Sequence, residues 1–137
     1  MSSTLRVLVV DDEPALLRTT RKLLELDGHA VLDAADGAAA LQVIAREPID
    51  VVLTDLYMPN VDGFELIRQL RKARGSAPSV IAVSGQDWRD NPGMQAIAIQ
   101  LGVAATLTKP YSLEELRYAV YQAQRTAERG PATQASA

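Results

Sequence analysis

Three acidic residues, Asp11, Asp12 and Glu13, directly follow the mostly apolar run Leu5–Val10. A fourth, Asp55, closes the apolar, β-branched run Val51–Asp55. Ser84 closes Val80–Ser84, and Lys109 with Pro110 closes Ala105–Lys109. Taken singly, an Asp at a strand end is usually a turn former or a helix cap, and a lone Ser or Lys there says little. Together they suggest chemistry. Carboxylates gathered in one cleft repel each other unless a cation sits among them. Mg²⁺ resolves that repulsion with oxygen ligands, usually one or two carboxylates plus waters and phosphate oxygens. Lys109 offers a point positive charge suited to a phosphoryl oxygen, and Ser84 a hydroxyl donor to a second one. Asp55 is left as the nucleophile, since carboxylates form acyl phosphates in covalent mechanisms. Phosphoryl transfer asks the protein mainly for positioning and charge neutralisation.

The elements that must position these residues alternate along the chain. Leu5–Val10 reads as a buried strand. Pro14 suits a first helical turn, Leu16, Leu17, Leu23 and Leu24 share a helix face, and Gly28 fits the stop. His29–Ala35 reads as a second strand. Asp36 can cap a helix to about Glu47 with Leu41 and Ile44 inward. After the strand Val51–Asp55, Asp62 and Glu65 have capping-box spacing before a helix carrying Phe64, Ile67 and Leu70. Val80–Ser84 is followed by a polar loop over Gln86–Gly93 and a helix marked by Met94, Ile97 and Leu101. After Ala105–Lys109, Ser112 and Glu115 form a full capping box for a last helix faced by Leu113, Leu116 and Val120. Five strands and five helices in strict alternation call for an α/β fold, a parallel sheet covered on both faces by right-handed crossovers. Function in such a sheet gathers at the carboxyl ends of the strands.

The whole chain agrees with one small α/β domain. It has 137 residues, 47% of them hydrophobic, which is enough for a real core. A formal net charge of −3 provides no general basic field for nucleic acid or anionic membrane. The absence of cysteine excludes disulfides and cysteine-based zinc sites. His29 is the only histidine, so histidine-based catalysis has one weak candidate. No stretch reaches the roughly 20 apolar residues of a membrane span, and the N-terminus does not read as a signal peptide. A cytoplasmic location is expected. From about Ala127 the tail ERGPATQASA turns small and polar, so residues 1–127 are expected to form the domain and 128–137 a disordered tail or linker.

The segments VLVVDDEP, VVLTDLYMPNVDGFEL, VIAVSG and LTKPY, in this order and spacing, resemble the receiver domain of two-component response regulators, the chemotaxis regulators among them. The resemblance runs from about Leu5 to Ala127. It implies a flavodoxin-like five-stranded sheet of order 2-1-3-4-5. It makes Asp55 the phosphoacceptor, Asp12 a direct Mg²⁺ ligand and Asp11 a ligand acting mainly through water. Tyr57 matches the residue whose backbone carbonyl binds the metal, Ser84 the switch hydroxyl, and Lys109 the phosphate-contacting lysine before a cis-proline. Glu13 is assigned no ligand role. The implied donor is a phosphohistidine on a sensor histidine kinase or phosphotransfer protein. The chain would catalyse its own phosphorylation and slow dephosphorylation, as a switch rather than a turnover enzyme, and would signal to a downstream protein target or output domain.

Several positions depart from the family pattern or extend it. Thr106, three residues before Lys109, stands where the family usually has Tyr or Phe, so coupling through a swinging ring is not available. Trp88 lies in the loop after Ser84, either as a lid on the pocket or packed on the domain edge. Tyr57 and Gln86, each two residues past a site residue, would flank the route of a hydrolytic water in the family's geometry. Helical spacing puts Ile99 opposite the Met94/Ile97/Leu101 face and Tyr118 opposite Leu113/Leu116/Val120, so both should meet solvent. The resemblance makes that surface one for targets or a homodimer mate, although Ala104-Ala105 removes the acidic residues one dimerising branch uses there.

Other functions of this fold class fit less well. Asp11-Asp12-Glu13 would repel the phosphate of FMN, against a flavodoxin. A haloacid-dehalogenase-like phosphatase needs a second Asp two residues after its nucleophile, where this chain has Tyr57. A receiver-like scaffold that signals without phosphate is the remaining alternative, and the complete Asp11/Asp12/Asp55/Ser84/Lys109 set argues against it.

Overall fold

A computed structural model of the chain describes residues 4–56, 62–72, 78–85, 88–90 and 92–129. Tyr57, Gln86 and residues 130–137 of the expected tail lie outside the described residues. The strands are β1 (Arg6–Val10), β2 (Ala30–Ala34), β3 (Val51–Asp55), β4 (Ser79–Ser84) and β5 (Ala105–Thr108). The helices alternating with them are α1 (Pro14–Leu26), α2 (Gly37–Arg46), α3 (Gly63–Lys72), α4 (Pro92–Gln100) and α5 (Leu113–Arg129). All four strand pairs are parallel, in the order β2-β1-β3-β4-β5. This is the α/β flavodoxin-like topology the sequence leads one to expect.

Local chemistry explains where the helices begin. Asp36 accepts from the Ala39 amide at 2.8 Å and starts α2. Asp62 does the same for the Glu65 amide at 2.9 Å. At α5 the capping box closes in both directions, Glu115 N to Ser112 Oγ at 3.0 Å and Ser112 N to Glu115 Oε1 at 2.9 Å. Each such cap contributes about 1 kcal/mol.

The sheet divides the core in two, and strand alternation assigns the residues. Val7, Val9, Val51, Leu53, Ile81, Val83 and Leu107 pack with Leu24 of α1 and Leu116, Val120 and Ala123 of α5. Leu8, Val10, Val52, Val80 and Ala82 pack with Ala40 of α2, Leu66, Ile67 and Leu70 of α3, and Ala98 of α4.

One inward face differs from the sequence expectation. Ile97, expected inward on α4 with Met94 and Leu101, is 49% exposed, and Ala98 is the fully buried residue instead. Five of the nine α4 residues, Met94 and Ala96–Ile99, are apolar and surround the helix, so their spacing does not single out one face. The close approach to the sheet is made by the small Ala98, flanked by the partly buried Met94 and Leu101. Ile99 and Tyr118 do point outward, at 64% and 62% exposure.

Candidate functional site

The alternation that builds the first core half also builds the site. Val7 and Val9 are followed in the same series by Asp11, Val51 and Leu53 by Asp55, and Ala105 and Leu107 by Lys109. The apolar columns thus turn charged where the strands end. Register holds these ends level. Val10 pairs with Thr54, Asp55 with Val83, and Ser84 with Thr108. The Lys109 amide donates to the Ser84 carbonyl at 2.8 Å, so those two residues are joined through the backbone. The Lys109–Pro110 bond is cis.

The charged groups meet at the carboxyl edge. Lys109 Nζ lies 2.6 Å from Asp55 Oδ2, 3.2 Å from Asp11 Oδ2 and 3.2 Å from Glu13 Oε1. Asp11 and Asp55 are buried, Ser84 is fully buried, and Asp12 is exposed. One carboxylate oxygen from each of Asp11, Asp12 and Asp55 falls within a 4.8 Å span. An all-oxygen, all-carboxylate set of that span suits a hard divalent cation such as Mg²⁺ better than a softer metal.

Electrostatics follow from that packing. Burial pushes the Asp11 carboxyl up, against the Glu13 amide, which donates to its Oδ1 at 2.9 Å, and against Lys109. Burial alone would lower the Lys109 ammonium, but Asp55, Asp11 and Glu13 outweigh it and raise it well above the ordinary lysine range. Lys109 is therefore a fixed positive charge at any physiological pH.

The structure thus brings together Asp11, Asp12, Asp55, Ser84 and Lys109, and leaves Tyr57 outside the described residues. It also brings in groups that sequence reasoning gave no place. Glu13 reaches Lys109. Gly63 opens α3 so close to the end of β3 that a Cβ there would lie 2.3 Å from the Asp55 carbonyl oxygen. At Gly85, beside Ser84, a Cβ would meet nothing within 4 Å. Asp62-Gly63 at a helix start was the available signal for the first glycine. Glu13 gave none, because a side chain's long-range partner is not written in its neighbours. Trp88 is neither exposed nor loosely placed. It is 5% exposed, packs in the core half shared with α3 and α4, and donates from Nε1 to the Leu107 carbonyl at 2.9 Å. That bond satisfies a carbonyl on β5, the edge strand, and favours packing on the domain edge over a lid.

A family model for the response regulator receiver domain matches residues 7–121. Among curated proteins the chain is similar to the response regulator MprA of Mycobacterium leprae (strain TN), 35% identical over 112 residues, which cover 82% of this chain and 47% of that protein. Its similarity to MprA of Mycobacterium sp. (strain KMS) is 37% over 111 residues, covering 81% and 46%. The chain spans about half the length of these curated relatives. Among solved structures it is similar to a CheY-like response regulator receiver domain protein from Methanospirillum hungatei JF-1, with TM-score 0.81, 28% identity and coverage of 93% and 98% of the two chains. A response regulator receiver domain protein from Clostridium thermocellum gives TM-score 0.79, 31% identity and coverage of 90% and 97%. On the match over residues 7–121, this chain belongs to the response regulator receiver domain family.

Proposed function

We propose that this receiver domain takes a phosphoryl group onto Asp55 from a phosphohistidine donor and passes the change to a partner-binding surface. The observation that carries the proposal is the meeting of Asp11, Asp12 and Asp55 with Lys109 at one edge of the sheet. An Asp55 carboxylate oxygen attacks phosphorus, the phosphorus–nitrogen bond to the donor imidazole breaks, and the imidazole leaves with the bonding pair. Hydrolysis later returns the carboxylate and inorganic phosphate. Mg²⁺, when bound, supplies charge neutralisation for the phosphoryl oxygens. Asp12 would hold it directly, Asp11 mainly through water, and Asp55 and the Tyr57 backbone carbonyl would complete the protein ligands. Lys109 neutralises a phosphoryl oxygen, and the Ser84 hydroxyl donates to another. Gly85, next to Ser84, leaves open space at the end of β4.

Residues 1–127 would act as the receiver and 128–137, the first two of which finish α5, as a free end or linker. The donor would be a sensor histidine kinase or phosphotransfer protein. The reader would be a downstream protein, an output domain or a second copy, meeting the exposed Ile99 and Tyr118 on either side of β5. Among the described residues no helix is long and apolar enough to cross a membrane. The proposed switch would work in the cytoplasm. Incubation with acetyl phosphate and Mg²⁺ should add one phosphoryl group by intact mass, lost in Asp55→Asn and without Mg²⁺. Addition that persists in Asp55→Asn would move the acceptor elsewhere. If neither acetyl phosphate nor a phosphohistidine protein phosphorylates the chain, the scaffold reading replaces this one.

A further inference from the structure

Lys109 and a divalent cation draw on the same two carboxylates. Asp11 and Asp55 belong to the acidic triad and are also Lys109's partners at 3.2 and 2.6 Å. Among the described residues the carboxylates that reach Lys109 are Asp11, Glu13 and Asp55, so Asp12 serves the triad alone. Glu13 is the reverse: it lies 3.2 Å from Lys109 Nζ and is not a member of the triad.

The placement of Glu13 is unusual for a residue in its position. It is the N-cap residue of α1, where a short acceptor side chain normally bonds a free helix amide. Its side chain makes no cap bond. The Glu13 carboxylate turns to Lys109 instead, while its backbone amide fixes Asp11 Oδ1 at 2.9 Å. The glutamate's extra methylene gives a reach that the usual capping aspartate lacks.

We propose that Glu13 is a positioning residue for the metal site, acting as the acceptor that draws the Lys109 ammonium from Asp11 and Asp55 when a cation enters. This deepens the phosphoryl-transfer reading and rests on its metal site. Lys109 competes with the incoming cation, and Glu13 lessens that competition by offering the ammonium a carboxylate outside the triad. The arrangement divides three consecutive acids by task, with Asp11 shared, Asp12 toward the cation and Glu13 toward the lysine.

The test is Mg²⁺ binding by titration calorimetry on four proteins: wild type, Glu13→Gln, Lys109→Met and the double variant. The pair is largely exposed on the Glu13 side, so Glu13→Gln should weaken Mg²⁺ about 3-fold at low salt. Lys109→Met should tighten it by removing the competitor. In the Lys109→Met background, Glu13→Gln should change the affinity by less than about 1.5-fold, the non-additivity expected of coupled residues. The melting temperature of Glu13→Gln should match wild type, because no cap bond is lost. Unchanged Mg²⁺ affinity in Glu13→Gln would overturn the proposal. So would equal weakening in both backgrounds, which would make Glu13 a direct contributor to the cation's field. If wild type itself takes no Mg²⁺ while remaining folded, the metal-site reading fails and this inference with it.

Discussion

At the scale of the residue, two glycines, Gly63 at the start of α3 and Gly85 after β4, make opposite demands. A Cβ on Gly63 would sit 2.3 Å from the Asp55 carbonyl oxygen and 2.7 Å from Leu56 Cα. Both are backbone atoms, so neither can rotate away. The Gly63 amide also donates to the Leu56 carbonyl at 3.2 Å, which holds α3 against the end of β3. Gly63→Ala must therefore push α3 off the strand carrying Asp55, at a cost of about 3 kcal/mol. Gly85→Ala meets open space and should stay within about 0.5 kcal/mol of wild type. Urea denaturation of the two variants side by side measures the contrast, and equal stabilities would contradict it. The sequence shows both glycines but not the difference between them. That difference depends on how closely the start of α3 approaches the end of β3 in space. Asp11, Asp55 and Lys109 were legible because strand alternation carries each of them out of an apolar column. The partner of Glu13 was not, because it lies 96 positions away.

At the scale of the element, a few polar contacts tie the helices and their connections to one another. Arg71 of α3 donates to the Leu101 and Gly102 carbonyls at 2.7 and 2.6 Å, just past the end of α4. Gly102 takes φ +79° there, as a helix stop often requires. On the opposite face, Tyr111 in the β5–α5 connection shares a 2.6 Å hydrogen bond with Thr20 of α1. Burial pushes the Tyr111 phenol above its ordinary value of 10.0, partly offset by the Thr20 bond. The raised folded value favours the neutral phenol in the folded state. Its contribution to stability is therefore complete below pH 10 and is lost as pH rises through the folded value. An ultraviolet difference titration should show a phenol component that ionises above the ordinary tyrosine value of 10.0. Tyr111→Phe should remove that late component and cost about 1 kcal/mol at neutral pH. If all phenols titrate together, the Tyr111 site is not closed to water. The existence and type of the five strands and five α-helices were legible, since caps and apolar runs mark them locally; the short 3-10 helix Trp88–Asp90, inside the expected polar loop, was not. The inward face of α4 was not. Its apolar residues surround the helix, and the contact is decided by the small volume of Ala98 against the sheet.

At the scale of the whole molecule, a single sheet is the shared wall of both core halves, so neither half can lose its packing alone. Val52 and Leu53, one residue apart on β3, face opposite halves and are both nearly inaccessible. Trp88 packs in one half, yet its indole bonds to the carbonyl of Leu107, whose side chain packs in the other. Its fluorescence should therefore report unfolding of the whole chain. Under urea, the Trp88 emission change and the loss of helical circular dichroism should share one midpoint, as two-state unfolding requires. The acidic triad links to the same transition, because Asp11 and Asp55 leave β1 and β3 at the centre of the sheet. A ligand that binds only the folded form stabilises it by an amount set by its concentration relative to Kd. At ten times Kd, Mg²⁺ should add about 1.4 kcal/mol. Both probes should move together by that amount, and Asp55→Asn should shrink the shift in both. Separate midpoints would mean that the two faces unfold independently despite the common sheet. A Mg²⁺ shift seen by one probe only would confine the cation's influence to that face, and the proposed switch would then lack a rigid frame to carry a change at Asp55 to β5.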